Sequence, residues 1–132
     1  MNHNQNPGFT PLSKAALQEL ADRLLHEDGE AISMCVDFVC CETRGVWHGR
    51  ARAMMCRRMK HVGLDKNQSA QLVDSIASRL ARGQFSEQFK DQLRLAMTLD
   101  ASRLFSVARA CQSSNLPHVR AYAEWVLRHD GT

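Results

Sequence analysis

Apolar residues recur every three or four positions along nearly the whole chain, the period of helices buried on one face. Thr10-Pro11 opens the first predicted helix, Leu17, Leu20, Leu24 and Leu25 form its stripe, and Asp28-Gly29 breaks it. A second runs from about Glu30 to Thr43 with Ile32, Cys35, Val36 and Val39 on one broad face, and Gly45 stops it. The third spans Trp47 to His61 and halts at Gly63. Asp65 and Gln68 have the spacing of a capping box, ahead of a stripe of Leu72, Val73, Ile76 and Leu80 that ends at Gly83. Ser86 is placed to cap a fifth helix carrying Phe89, Leu93, Ala96 and Met97, and Asp100 a sixth carrying Leu104, Phe105, Val107, Ala108 and Cys111. Pro117 starts a seventh with Val119, Tyr122, Ala123 and Val126. No stretch sustains period-two alternation, so the pattern predicts an all-α protein of about seven helices.

Length and composition sharpen this picture. A chain of 132 residues, 44% hydrophobic and 23% charged, has the make-up of one globular domain, here 10–132 behind a disordered polar tail at 1–9. No apolar run approaches the roughly 18–20 residues of a membrane span, and the polar N-terminus is no secretory signal. The five cysteines, Cys35, Cys40, Cys41, Cys56 and Cys111, are odd in number and lack a Cys-x-x-Cys pair. They read as buried free thiols in a cytoplasmic protein, not as a disulfide framework.

Self-similarity organises the helices further. The segments beginning at Gly49-Arg50, Phe89-Lys90 and Val119-Arg120 align, so that Arg50, Lys90 and Arg120 correspond, as do Ala53, Leu93 and Ala123. Each is preceded by a second helix type, at a spacing of roughly 30–40 residues, the size of one pair in a stacked helical repeat. The last segment resembles the second helix of a HEAT repeat, with Pro117, Val119, Arg120, Ala123 and Leu127 at the matching places. Gly49 and Phe89 depart from the family's valine, Lys90 from its arginine and Leu93 from its alanine. The resemblance implies three irregular antiparallel helix pairs stacked as a short α-solenoid, with the first helix as an N-terminal cap. It also implies a structural use for Arg50, Lys90 and Arg120, since arginines at that place in the family commonly bond to adjacent repeats.

Charge is distributed unevenly. Residues 1–43 hold two cations against seven carboxylates, whereas residues 44–66 hold seven cations against Asp65 alone. Packing of the two segments against each other would offset both. At 100° per residue, Arg50, Arg57 and His61 share a narrow arc, flanked by Arg58 and Lys60, with Ala51, Met55 and Met59 opposite. A basic face of this kind suits an acidic protein partner or, alternatively, nucleic-acid phosphate. The pI near 8.7 and the aromatic content of 6% favour the protein partner over a dedicated nucleic-acid binder. The chain therefore reads as a non-catalytic scaffold or adaptor whose contact residues are Arg50, Arg57, Arg58, Lys90, Arg94 and Arg120, with Trp125 as a possible aromatic anchor. Tyr122 reads as core.

Chemistry-bearing alternatives are thin. Cys40, Cys41, His48, Cys56 and His61 lie close in sequence but lack zinc-ligand spacing, and Cys56 and His61 diverge on one helix. Cys56, beside Arg57 and Arg58, is the one cysteine with a cationic neighbourhood that could favour a thiolate. No phosphate loop, nucleophile elbow or paired-carboxylate motif occurs. The expectation is no enzyme activity, no metal, no cofactor and no membrane partner, with the oligomeric state left open.

Overall fold

The computed structural model describes residues 13–42, 47–85 and 88–130, and their regular structure is entirely helical. The expected tail at 1–9, the Thr10-Pro11 start, the Gly45 stop and the Ser86 cap lie outside these residues. Helix α1 (Lys14–Arg23) begins behind Ser13, whose hydroxyl oxygen accepts from the Ala16 amide at 3.2 Å. A single 3₁₀ turn, Leu24–His26, follows, and Glu27 takes a left-handed conformation (φ 52°). That tightening rotates Leu25 out of the expected apolar stripe to 63% exposure, while Leu24 stays buried. Asp28 then caps α2 (Gly29–Cys40): its carboxylate accepts from the Glu30 and Ala31 amides and also pairs with Arg23 at 2.8 Å.

Helix α3 spans His48–Met59 and α4 spans Lys66–Arg82. Both halves of the capping box form, Gln68 N donating to Asp65 at 2.7 Å and Asp65 N to the Gln68 side chain at 3.0 Å. Gly83 ends α4 in the left-handed region, φ 70°. A Cβ there would lie 2.8 Å from His118 Nε2 and 2.9 Å from Leu116 Cδ1. The position therefore demands glycine both for its backbone and for the close approach of the last helix. His118 Nε2 donates to the Gly83 carbonyl at 3.0 Å.

The expected fifth and sixth helices form one element, α5 (Phe89–Cys111), interrupted at Asp100 (φ −158°, ψ 80°). Asp100 does cap the second half, accepting from Arg103 N at 3.2 Å. The break sits where the capping signal placed it, but a single residue makes the turn and no loop intervenes. Helix α6 (Pro117–Leu127) closes the fold with Pro at its first turn. Six α-helices thus occupy the described residues, the fifth made of two halves that meet at Asp100.

The core is one cluster running through all six helices, with Phe38, Met55, Leu72, Ile76, Phe89, Leu93 and Leu104 fully buried. Helix α5 lies at the centre, against α3, α4 and α6, while α1 packs on α2 and α3, and α2 on α3 and α4. Helix directions follow from side-chain partners. Lys14 lies on Trp47, Gln18 meets Met54 and Asp22 meets Arg58, so α1 and α3 run parallel, turn against turn. Phe89 meets Tyr122 and Arg94 meets Trp125, so the first half of α5 and α6 are likewise parallel. No helix among the described residues is long and apolar enough to cross a membrane.

Candidate functional site

Helices α3, α5 and α6 bring four of the expected site residues together. Lys90 and Arg94, one turn apart on α5, both lie over the Trp125 ring, at 5.1 and 5.2 Å from its centroid. His129 also tilts against the same indole, its Nδ1 bonded to the Trp125 carbonyl at 2.8 Å. Asp91 bridges the cations of two helices, pairing with Arg57 of α3 at 2.8 Å and with Arg94 at 3.4 Å. Arg57 and Arg94 remain about half exposed in these pairs, 50% and 47%, so their remaining donors face solvent. Two cations lie over a half-buried aromatic and a third joins them through one shared carboxylate, an arrangement in which ring and guanidinium hold each other without using up the charge.

The other three expected residues are placed elsewhere. Arg58 donates to Asp22 at 2.9 Å and ties α3 to α1. That bond, then one from Gln18, holds the Asp22 carboxyl below the usual carboxylate range. It is the one ion pair joining the acidic first segment to the basic second among the described residues; Glu42 pairs instead with Arg79 and Arg82. Arg120 donates to the Ser114 carbonyl at 2.6 Å, staying within its own turn. Arg50 lies 5.5 Å over the Trp47 ring, where Lys14 also sits at 4.2 Å. Arg50, Lys90 and Arg120 therefore each have their own partners and form no shared row. Tyr122 is half-buried, edge-on to Phe85 and Phe89.

A polar core sits beneath this surface, at residues that sequence reasoning did not single out. Arg79 of α4 is 4% exposed and donates to Gln92 Oε1 (2.9 Å), the Cys41 carbonyl (3.2 Å) and Glu42 (3.3 Å). Arg52 also donates to the Cys41 carbonyl, at 2.9 Å, and lies over Phe38. Burial, and next the Arg79 charge beside it, holds the Arg52 guanidinium down to about 10. Two guanidinium groups thereby satisfy the carbonyl at the C-terminal end of α2, where the helix dipole favours positive charge. A signal for Arg79 existed: it falls three residues after Ile76 and seven after Leu72, on the apolar stripe itself. The basic residues of α3 are correspondingly not all on its outer face, since Arg52 is buried.

The cysteines are free; Cys35, Cys56 and Cys111 are buried, and Cys40 and Cys41 half-buried. Burial pushes the Cys35 thiol up to about 12 and raises Cys56 as well, despite nearby arginines. Cys56 is fully enclosed in α3 whereas His61 is exposed in the turn beyond, so the two do not meet. Among the described residues no three His, Cys, Asp or Glu side chains converge as metal ligands would. In the native protein at neutral pH, a maleimide should label Cys40 or Cys41 first and leave Cys56 unmodified until denaturant is added. Mass-spectrometric mapping of the labelled peptides checks this, and early modification of Cys56 would contradict the packing of α3. No family model, curated protein or solved structure matches this chain, so the geometry alone bears on its function.

Proposed function

We propose that the protein is a non-catalytic interaction domain that holds an acidic partner on the face built by α3, α5 and α6. The observation that carries this reading is the Trp125 ring flanked by Lys90 and Arg94, with Arg57 beside them on Asp91. An aromatic held between cations with free donors is the residue combination that dominates interface energetics. Carboxylates of a partner would add to charges that are only partly compensated. Thiols held protonated by burial give a nucleophilic role no support. Five unpaired cysteines support a cytoplasmic setting.

The architecture we propose is a short HEAT-like stack, in which α1, α3, the first half of α5 and α6 form one layer. Support comes from the register of the two parallel pairs: Gln18–Met54 and Asp22–Arg58 are each 36 residues apart, and Phe89–Tyr122 and Lys90–Trp125 are 33 and 35 apart. A near-constant step between parallel neighbours is what stacked repeats produce. On this reading α1 is a further member of the layer as well as its cap.

The test is fluorescence anisotropy with a labelled Glu-rich peptide of about 12 residues and a DNA duplex of matched charge, each at several salt concentrations. The peptide should bind, and Lys90→Ala with Arg94→Ala together should weaken it about tenfold, or 1.4 kcal/mol. Arg58→Ala and Arg120→Ala, whose charges are engaged within the fold, should change it less than about twofold. Absence of peptide binding at low salt would overturn the reading. Tighter binding of the duplex, with a steep salt slope, would replace it by nucleic-acid recognition.

A further inference from the structure

The second tryptophan marks a different kind of site. Trp47, the N-cap residue of α3, forms one wall of a pocket of about 120 Å³ between α1 and α3. Buried Leu17 and Ala51, with half-buried Met54, make its apolar floor, and exposed Lys14 and Arg50 stand at its rim. A cavity of this order admits a single benzene-sized ring or a branched aliphatic group, and no more. Both rim cations lie over the Trp47 ring, and among the described residues neither pairs with a carboxylate. Most other arginines of the fold do: Arg23, Arg57, Arg58, Arg79, Arg94 and Arg103 all have acidic partners.

We propose that this pocket receives one apolar side chain of the acidic partner, with a carboxylate directly beside it placed between Lys14 and Arg50. The chemistry argues against two simpler occupants. A purely anionic group would leave the apolar floor unfilled, and a neutral hydrophobe would leave two uncompensated cations at its edge. The inference rests on the acidic-partner reading above and deepens it, adding a point of apolar selectivity to a surface that otherwise reads charge. Arg50 and Arg57 are seven residues apart and so project from the same side of α3. One extended acidic segment could therefore engage both tryptophans, with its apolar residue at Trp47 and its acidic run toward Trp125.

The experiment uses 3-phenylpropionate and its neutral analogue 3-phenylpropanamide as probes of the full chain, followed by amide and indole chemical shifts. The acid should perturb Ala51, Met54 and the Trp47 indole with roughly millimolar affinity, as expected for so small a ligand. The amide should bind the same residues at least fivefold more weakly. Lys14→Ala and Arg50→Ala, both at exposed positions, should each remove most of that difference between acid and amide. Equal binding of acid and amide, shifts that centre on Trp125, or no shifts at all would each overturn the proposal. A Glu-rich peptide still captured through Lys90 and Arg94 in those cases would leave the partner reading standing, whereas loss of both signals would remove both.

Discussion

Replacing Phe89 by alanine should lower the unfolding free energy by about 4 kcal/mol, the middle of the range for a buried aromatic. The residue opens α5 and is fully buried. Phe85 stacks on it at 4.3 Å between centroids, nearly parallel at 9°, and Tyr122 meets it edge-on at 6.0 Å. Phe85 in turn contacts His118 and Tyr122 of α6. Truncation would therefore open a cavity at the point where the α4–α5 connection grips the last helix. Phe89→Leu, which keeps most of the volume, should cost less than about 2 kcal/mol. Urea unfolding of both variants checks this, and a loss under about 1.5 kcal/mol for the alanine variant would mean that α6 docks without the ring cluster.

Arg79→Met should cost about 3 kcal/mol, although it replaces a charge by an apolar side chain of comparable length. The cost arises from the partners left behind. Gln92, 4% exposed, loses the donor to its Oε1, and the Cys41 carbonyl keeps only Arg52. Glu42 contributes little, being 66% exposed and able to bind water. The asymmetry supplies a sharper measurement: adding Gln92→Leu to the methionine variant should recover about 1 kcal/mol, because both halves of the bond are then apolar. A double variant less stable than the wild type by the full sum of the two single effects would show that the two side chains are not coupled.

What the sequence made readable and what it hid divide by range. The capping box at Asp65, the left-handed stop at Gly83, the cap at Asp100 and the proline start at Pro117 involve residues at most a few positions apart, and local chemistry sufficed to place them. Leu25 went to the wrong side because Glu27 adopts a left-handed conformation that glutamate rarely takes and no neighbouring residue announces. Cys56 read as the one cysteine whose cationic neighbours could favour a thiolate, but its environment depends on packing, and burial raises its ionisation instead. The site was half legible. Lys90 and Arg94 share a helix face by spacing alone, yet their meeting with Trp125 requires α5 and α6 to be neighbours in parallel. Aligning Arg50 with Lys90 and Arg120 by residue type could not show which side chains meet: the contact between α3 and α5 joins Arg57 to Asp91, a pair with no chemical likeness to guide it. Arg79 and Arg52 were not singled out because the apolar stripe was read from apolar residues only.

The junction at Asp100 carries a consequence for how the chain tolerates change in length. Elsewhere helices are joined by several residues, and surface connections absorb additions because their ends need only stay within reach. Between the halves of α5 there is no slack, only one residue out of helical conformation. The two halves are geared: inserting a residue beside Leu99 advances everything downstream by about 100° of rotation and 1.5 Å of rise. Leu104, Ala108 and Cys111, which all face the core, would turn toward solvent together. The position is thus a point of fixed phase, where substitution is tolerated more readily than a change in residue count.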